Sequence, residues 1–507
     1  MNQLVSNQVL RLNAADNVYV ALTRIKVGAP VDDGISANTD IPLGHKVAAT
    51  FIRREDVVIK NGYPIGTATE DIPAGALVHV HNLSLNAALV LPDHTSSAPA
   101  LLPKEQRATF QGYVQKDGRV GTRNFVGVFI VSNCAATAAR QVADYFDEER
   151  LAAYPNVDGV MPFIHELGCG MEMTGEPMDL LRRTISGYIR NPNVFGAVVI
   201  ALGCERNNLG VFLAQEKLEV GERLQTVTIQ EAGGIANTVE LAQSYVAAML
   251  PEANRVTRQT VSAEHLVLGV QSSAADGFSG ITANPVLGSA VDLVIQNGGT
   301  VIFSETPELA AASQAIQARA ATPEIAKRLR ERFDWWANYI AGRDAAIGRL
   351  PRNLIDAGIS STLERAVDGI AKTGTAAIGD VLQYGKSAQG LHGLVFMDTP
   401  DYDPVSVTGQ IAGGANLIAM TTGGVSSFCS LPAPTLKLAS NSDTYRRFSA
   451  DIDIDCSPVL SGEASIDELA KATFEALLAT ASGKASKGEY EGMGETEFVP
   501  WHIGVLA

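Results

Sequence analysis

The chain has 507 residues, of which 46% are hydrophobic and 19% charged, and a formal net charge of −16. That is room for about two to four domains of ordinary size, with a sizeable core. The acid surplus disfavours nucleic acid and anionic membranes as partners, the absence of a run of about 18 apolar residues argues against a bilayer span, and five cysteines in so long a chain read as reduced thiols rather than a disulfide framework. The opening MNQLVSNQVLRLNAADN has neither a basic stretch nor an apolar core, so no export signal is read and a cytoplasmic location is expected.

In chain order, short β-rich runs come first: VYVALTRI (18–25), HKVAATFI (45–52), VVIKNGYPIGTAT (57–69) and ALVHVHNL (76–83), with turns at Gly28, Asn38, Gly44, Gly62 and Gly75. This spacing predicts a small β-module over 1–96. The Pro-, Ser- and Ala-rich stretch LPDHTSSAPALLPKEQ (91–106) reads as a linker, placed at 97–110. From there the pattern becomes strand, Gly or Cys turn, helix. VGVFIVSN (126–133), GVMPFI (159–164), GAVVIALG (196–203) and TVTIQ (226–230) are apolar strands of a first α/β domain over 111–260. HLVLGVQ (265–271), TVIFSE (300–305), GLVFMDTP (393–400), ANLIAMTTG (415–423) and TLKLASN (435–441) are strands of a second over 261–507, with helices at 290–299 and around Trp335 and Trp336. Unbroken apolar strands alternating with helices predict mainly parallel sheets covered on both faces. The fold class is therefore α/β, two regions behind a small β-rich module.

Ligands in such sheets bind beyond the carboxyl ends of the strands. Cys134, Cys169 and Cys204 each follow a predicted strand at equal separation, which puts all three on one rim. Thiolates facing a common point suit iron or an iron–sulfur cluster, and buried free cysteines serve equally as small hydrophobes. His79 and His81 share a face if VHVHN is a strand, so they are read as metal ligands with His45 as a third; exposed, unengaged rings give the same pattern. Arg119 and Arg123 precede a strand, and a guanidinium fork matches a carboxylate, although a surface salt bridge explains Arg119 as well. Asp398, Asp401 and Asp403 precede a Gly-Gly turn at 413–414, where acids either hold a cation or build turns.

The segments DGRVGTRNFVGVFIVSNCAATAAR, HELGCGM, ALGCERNN, QEAGG, DGFSGITANPVLGSAVDL, SETPEL, FMDTPDYDPVSVTGQIAGGAN and DIDIDC together resemble the altronate dehydratase/galactarate dehydratase family over nearly the whole chain. The N-terminal module, with GHK and VHVHN, is similar to that family's SAF domain. The resemblance implies a hydro-lyase acting on a hexonate or hexarate, a small anionic sugar acid, altronate before galactarate, to give a 2-keto-3-deoxy acid. It implies Fe2+ as the metal, with Mn2+ or an iron–sulfur cluster as alternatives; the chain is expected to form a homo-oligomer, a dimer. A related branch eliminates sulfite from sulfolactate, and a non-catalytic sugar-acid binder is the other alternative. On this reading His165 or Glu166 is the base, with His45 a further catalytic candidate. Arg123, Asn124, Lys437 and Asp276 bind substrate, and His79, His81 and the three cysteines bind metal. The chain departs from the family where Gln-Cys-Gly-Gly-Ser-Asp is usual: it reads Gln271-Ser272-Ser273-Ala274-Ala275-Asp276. Glu166 and Leu167 also replace small residues, and both changes bear on substrate choice.

Overall fold

The computed structural model describes residues 4–5, 8–85, 91, 99–342 and 350–503. Residues 92–98, which include part of the expected linker, lie outside them.

The N-terminal module is antiparallel. Leu4–Val5, Val9–Arg11, Val18–Ala21, Lys46–Ala48 and Leu77–Val78 form one sheet, and Val57–Lys60, Tyr63–Ala68 and Leu83–Ser84 a second. The predicted runs fall on these strands with one correction: ALVHVHNL is not a single strand. It stops at Val78, and a turn over 79–82 is closed by the Asn82 N–H donating to the His79 carbonyl at 3.0 Å. The Asn82 side chain fixes the turn, accepting from the His79 N–H at 2.9 Å and donating to the Leu77 carbonyl at 2.9 Å. Asn side chains compete for backbone groups in this way, which favours turns over strand ladders.

The first α/β unit carries a parallel four-stranded sheet in the order Gly159–Phe163, Phe125–Ile130, Val194–Ala201, Leu224–Thr228. Both inner strands are buried on both faces. Phe125 and Phe129 pack towards helix Glu176–Ile189, whereas Val126, Val128 and Ile130 pack towards helices Ala136–Tyr145 and Ile235–Arg255. Each such side chain removed from water contributes about 1.5–3 kcal/mol, which is why these runs show no polar alternation. A small antiparallel sheet pairs Thr109–Val114 with Arg258–Ser262. The boundary expected at 260 therefore cuts a strand, and the two α/β units are stitched together there.

The second unit carries seven parallel strands in the order Ile378–Leu382, Gly393–Met397, Thr300–Phe303, Val267–Ser273, Leu417–Thr422, Thr435–Ala439, Ile454–Asp455. Helix Glu176–Ile189 of the first unit lies on helix Asp403–Ala412 of the second. Gly187 permits this contact, because a Cβ there would stand 2.3 Å from the Ala412 carbonyl oxygen. A cavity of about 960 Å³ is lined by residues at or just before the first residues of strands in both parallel sheets, among them Pro192, Val267, Thr300 and Asn416. The amino ends of both sheets thus face one cleft.

Candidate functional site

Strand order fixes where ligands belong. Phe125–Ile130 sits between Gly159–Phe163 and Val194–Ala201, and Val267–Ser273 sits between Thr300–Phe303 and Leu417–Thr422. At such switch points the loops above the carboxyl ends diverge and leave a crevice. The chain has two of these crevices.

The crevice of the second sheet is ionic. Gln271, Ser272 and Ser273 end one strand, Glu305 and Glu308 follow the next, and Asp401 and Asp403 follow Gly393–Met397. Arg365 lies on helix Thr362–Ala371, and Lys372 caps its end. Lys372 Nζ lies 2.6 Å from Glu305, 3.2 Å from Glu308 and 2.9 Å from the Ser272 hydroxyl, with Lys372 fully buried. Arg365 lies 2.6 Å from Asp401 and 3.3 Å from Glu308. Gln271 donates to Glu305 at 2.7 Å and to Asp403 at 3.0 Å. Four carboxylates thus face two fixed cations. Burial, reinforced by the Glu308 charge, holds the Glu305 carboxyl well above its ordinary range despite Lys372. Burial also lifts Asp401; Arg365 opposes this, Glu308 and Asp403 add to it, and the carboxyl is pushed up to about 7. Above them is a cavity of about 170 Å³ lined by Ser272, Ser273, Glu308, Arg365, Asp401 and Asp403. Glu305 at φ +71° and Ala274 at φ +37° occupy left-handed backbone beside it. Such conformations cost a non-glycine residue of order 1–3 kcal/mol and gather at functional sites.

The crevice of the first sheet carries the thiols. Cys134, Cys169 and Cys204 follow adjacent strands on one rim, the first and third exposed, with the Cys134 and Cys169 sulfurs 3.6 Å apart. Glu166 is exposed on the same rim. Both ring nitrogens of His165 are taken up by the backbone. Its Nε2–H donates to the Ile130 carbonyl at 3.0 Å and its Nδ1 accepts from the Leu167 N–H at 3.1 Å, a tautomer assigned from those partners. Burial pushes its pKa down to about 4, so the ring stays neutral with both nitrogens occupied.

Other predicted site residues are placed elsewhere. Arg123 lies at the amino end of its strand, clamped to Glu489 at 2.7 and 2.8 Å and to the carbonyls of Thr122, Thr480 and Lys484, with no donor left for a substrate. Asn124 beside it donates to the Asn156 and Ala253 carbonyls. Asp276 accepts from Ser279, Ser440 and Asn441 and ties loops together. Lys437 is buried and donates to the Ser426 carbonyl at 2.8 Å. Asp398 is bonded to Thr306 and Trp336. His79 and His81 do not share a face: His79 is buried and bonded to Ser360 and the Ile355 carbonyl, and His81 is exposed within the turn. His45 stands edge-on to His79, ring centroids 4.9 Å apart, with Nδ1 3.1 Å from the Leu43 carbonyl.

Three donor sets thus compare as follows for a metal. Of the module's histidines, His45 and His79 meet edge-on and His81 is exposed in the turn. Glu305, Glu308 and Asp401 bring ligand atoms within 4.8 Å of one another, yet the Lys372 ammonium already takes a cation's place among them. The Cys134 and Cys169 sulfurs are 3.6 Å apart, but among the described residues the three thiols do not bring their sulfurs within 4.8 Å of one another. Lys372 and Arg365 were missed from the sequence because no motif contains them. Glu305 and Glu308 stood in SETPEL, one of the segments carrying the resemblance.

A buried carboxyl poised near neutrality beside a guanidinium, at the carboxyl ends of parallel strands, marks the class: an enzyme that performs acid–base chemistry on a small anionic molecule. The comparisons agree with that class. Models described as altronate/galactarate dehydratase SAF domain, D-galactarate dehydratase/altronate hydrolase second domain, and D-galactarate/altronate dehydratase C-terminal match residues 7–86, 112–254 and 263–506. The galactarate dehydratase (L-threo-forming) of Escherichia coli (strain K12) is 33% identical, covering 94% of this chain and 93% of its own. The altronate dehydratase of Bacillus subtilis (strain 168) is 28% identical over 94% and 95%. The (2R)-sulfolactate sulfo-lyase subunit beta of Chromohalobacter salexigens is 30% identical over 77% and 96%. The chain belongs to the D-galactarate/altronate dehydratase family, and it is an enzyme of that hydro-lyase type.

Proposed function

We propose that the chain removes water from a six-carbon sugar acid to give a 2-keto-3-deoxy acid, in the crevice of the second sheet. The observation that carries this is the Asp401–Arg365 pair at the cavity, with charged Lys372 beneath Ser272. A substrate carboxylate entering the cavity competes with Asp401 for the Arg365 fork. Asp401, released, takes the proton from the carbon next to that carboxylate; a base with a pKa near 7 is suited to this. The Ser272 oxygen accepts from Lys372, so its own proton is directed towards the departing β-hydroxyl. Lys372, held charged by Glu305 and Glu308, stabilises the negative charge that develops. Divalent iron would supply Lewis acidity if bound, and the thiols whose chemistry suits it lie on the rim of the other sheet rather than in this crevice.

Altronate is favoured over galactarate, because the cavity offers Arg365 against Glu308, Asp401 and Asp403. One carboxylate finds a cation there and a second meets repulsion. The test is an anaerobic assay of keto-acid formation from altronate, galactarate and sulfolactate. Altronate is expected to turn over fastest, and Asp401→Asn to abolish turnover. If no sugar acid yields a keto acid, or if Asp401→Asn matches wild type, the proposal falls.

A further inference from the structure

A hairpin of the N-terminal module packs on a helix of the second α/β unit. Asn61 and Gly62, at φ +53° and +77°, turn Val57–Lys60 into Tyr63–Ala68, and this hairpin lies on helix Thr362–Ala371. Two successive left-handed residues are what so tight a turn requires. Between the two elements the fold leaves a cavity of about 210 Å³. Lys60, Tyr63 and Ile65 line it from the module, and Arg319, Val367 and Ile370 from the second unit. It shares no lining residue with the crevice above Arg365.

The charges around this cavity do not balance. Lys46 and Lys60 stand against Glu364 and Asp368, two cations against two acids. Arg319 is left over. It is 2% exposed, and its partners are all neutral. Nη1 donates to the Thr373 hydroxyl at 2.6 Å, and Nη2 to the Thr373 and Ala376 carbonyls at 3.3 and 2.8 Å. Among the described residues no carboxylate pairs with it. Asp292, the acid whose field it feels most, is itself taken by the N–H and the hydroxyl of Thr375, each at 2.9 Å. Burial accordingly pushes the guanidinium down to about 10. The Nε–H has no partner among the described residues and is not sealed in by protein atoms, so it opens onto the cavity that its side chain lines. An unmatched buried cation is costly unless an anion reaches it.

The walls decide which anion. One surplus charge matches a monoanion, whereas a phosphate dianion brings two. Ile65, Val367 and Ile370 present apolar surface, against which the spare oxygens of a phosphate or the hydration shell of a halide would go unsatisfied. We propose that this cavity binds one short-chain monocarboxylate, one oxygen accepting from the Arg319 Nε–H and the carbon chain lying on Ile65, Val367 and Ile370. Because these residues come from both sides of the junction, the bound acid ties the module to the helix that carries Arg365. The site is independent of whether the crevice of the second sheet dehydrates a sugar acid.

The probe is radiolabelled n-butyrate, in equilibrium dialysis against the full-length chain. The expected result is one saturable butyrate per chain. Propionate and acetate should compete progressively less well, by up to about four-fold for each methylene removed. Sodium chloride and inorganic phosphate should not displace the label. Arg319→Gln should weaken binding at least about ten-fold, as expected for a lost charge-assisted hydrogen bond. Ala371→Leu fills the cavity from the end of the helix and leaves the guanidinium its partners. It should weaken binding as much, with the circular dichroism of the wild type, which keeps the test decisive should Arg319→Gln fail to fold. Arg365→Gln, in the other crevice, should leave binding unchanged. A wild type without saturable binding, displacement by chloride or phosphate as effective as by propionate, undiminished binding in either folded cavity variant, or equal loss in Arg365→Gln would each overturn the site.

Discussion

Lys46 Nζ lies 2.7 Å from Glu364 Oε2 with neither side chain exposed, and this pair joins the N-terminal module to the helix that carries Arg365. Lys60 completes the junction, 2.8 Å from Glu364 and 3.1 Å from Asp368. The module therefore packs against the helix that carries Arg365 to the crevice of the second sheet.

Removing one partner of a buried pair leaves an uncompensated charge, at a cost of about 3–5 kcal/mol. Glu364→Gln is expected to lower the urea midpoint accordingly, and Lys46→Met combined with Glu364→Met to recover part of the loss. Burial raises the Glu364 carboxyl, but Lys46 and Lys60 outweigh it and hold it down at about 2. A carboxyl lowered on folding contributes stability present above its unfolded value, near 4.5, and lost as pH falls towards 2. The wild type should show that extra acid sensitivity between these values, and Glu364→Gln should not.

Asp401 gives a second pH signature. It must be ionised to act as a base, so kcat/KM for the preferred sugar acid should rise through about pH 7. Asp401→Asn should remove that limb along with the activity. Arg365→Ala should shift the limb as well as raise KM, since the guanidinium holds the carboxyl down. A limb unchanged in Arg365→Ala would separate the titration from Asp401.

Ala274 is a third case. The backbone here is left-handed at φ +37°, a conformation glycine adopts at no steric cost. An alanine so placed costs about 1–2 kcal/mol relative to an ordinary conformation. Ala274→Gly is expected to gain about 1 kcal/mol in denaturant unfolding, less the entropy of the added glycine. A loss of stability would show that the conformation is not strained.

The pattern of apolar runs was sufficient for all four strands of the first parallel sheet and five of the seven in the second, because strands buried on two faces carry no polar alternation; the two edge strands Ile378–Leu382 and Ile454–Asp455, less fully buried, carry no such run. It was also sufficient for the thiol rim, since equal separations along a regular strand–helix repeat return to the same edge. What failed was local. His79 and His81 were assigned to one face by strand alternation, but the strand ends at Val78 and Asn82 closes both histidines into a turn. Arg123 has the chemistry to grip an acid, but it lies at the wrong end of its strand, committed to Glu489. Lys372 and Arg365 are invisible in sequence because their meaning lies in carboxylates some 30 to 70 residues away along the chain, which only the strand order brings to them.

His165 permits the sharpest separation of a structural role from a chemical one. As a base it would contribute about 10²–10⁴-fold to the rate, and its replacement would erase a pH limb in an otherwise intact fold. The structure assigns it to joining Ile130 and Leu167 across the rim. His165→Phe would leave one buried acceptor and one part-buried donor without partners, at about 1–3 kcal/mol each. The expected outcome is a lower melting temperature and a pH profile that keeps its limb near 7. His81→Ala, at an exposed turn, should alter neither. Loss of the limb in His165→Phe at unchanged stability would return the ring to the catalytic machinery.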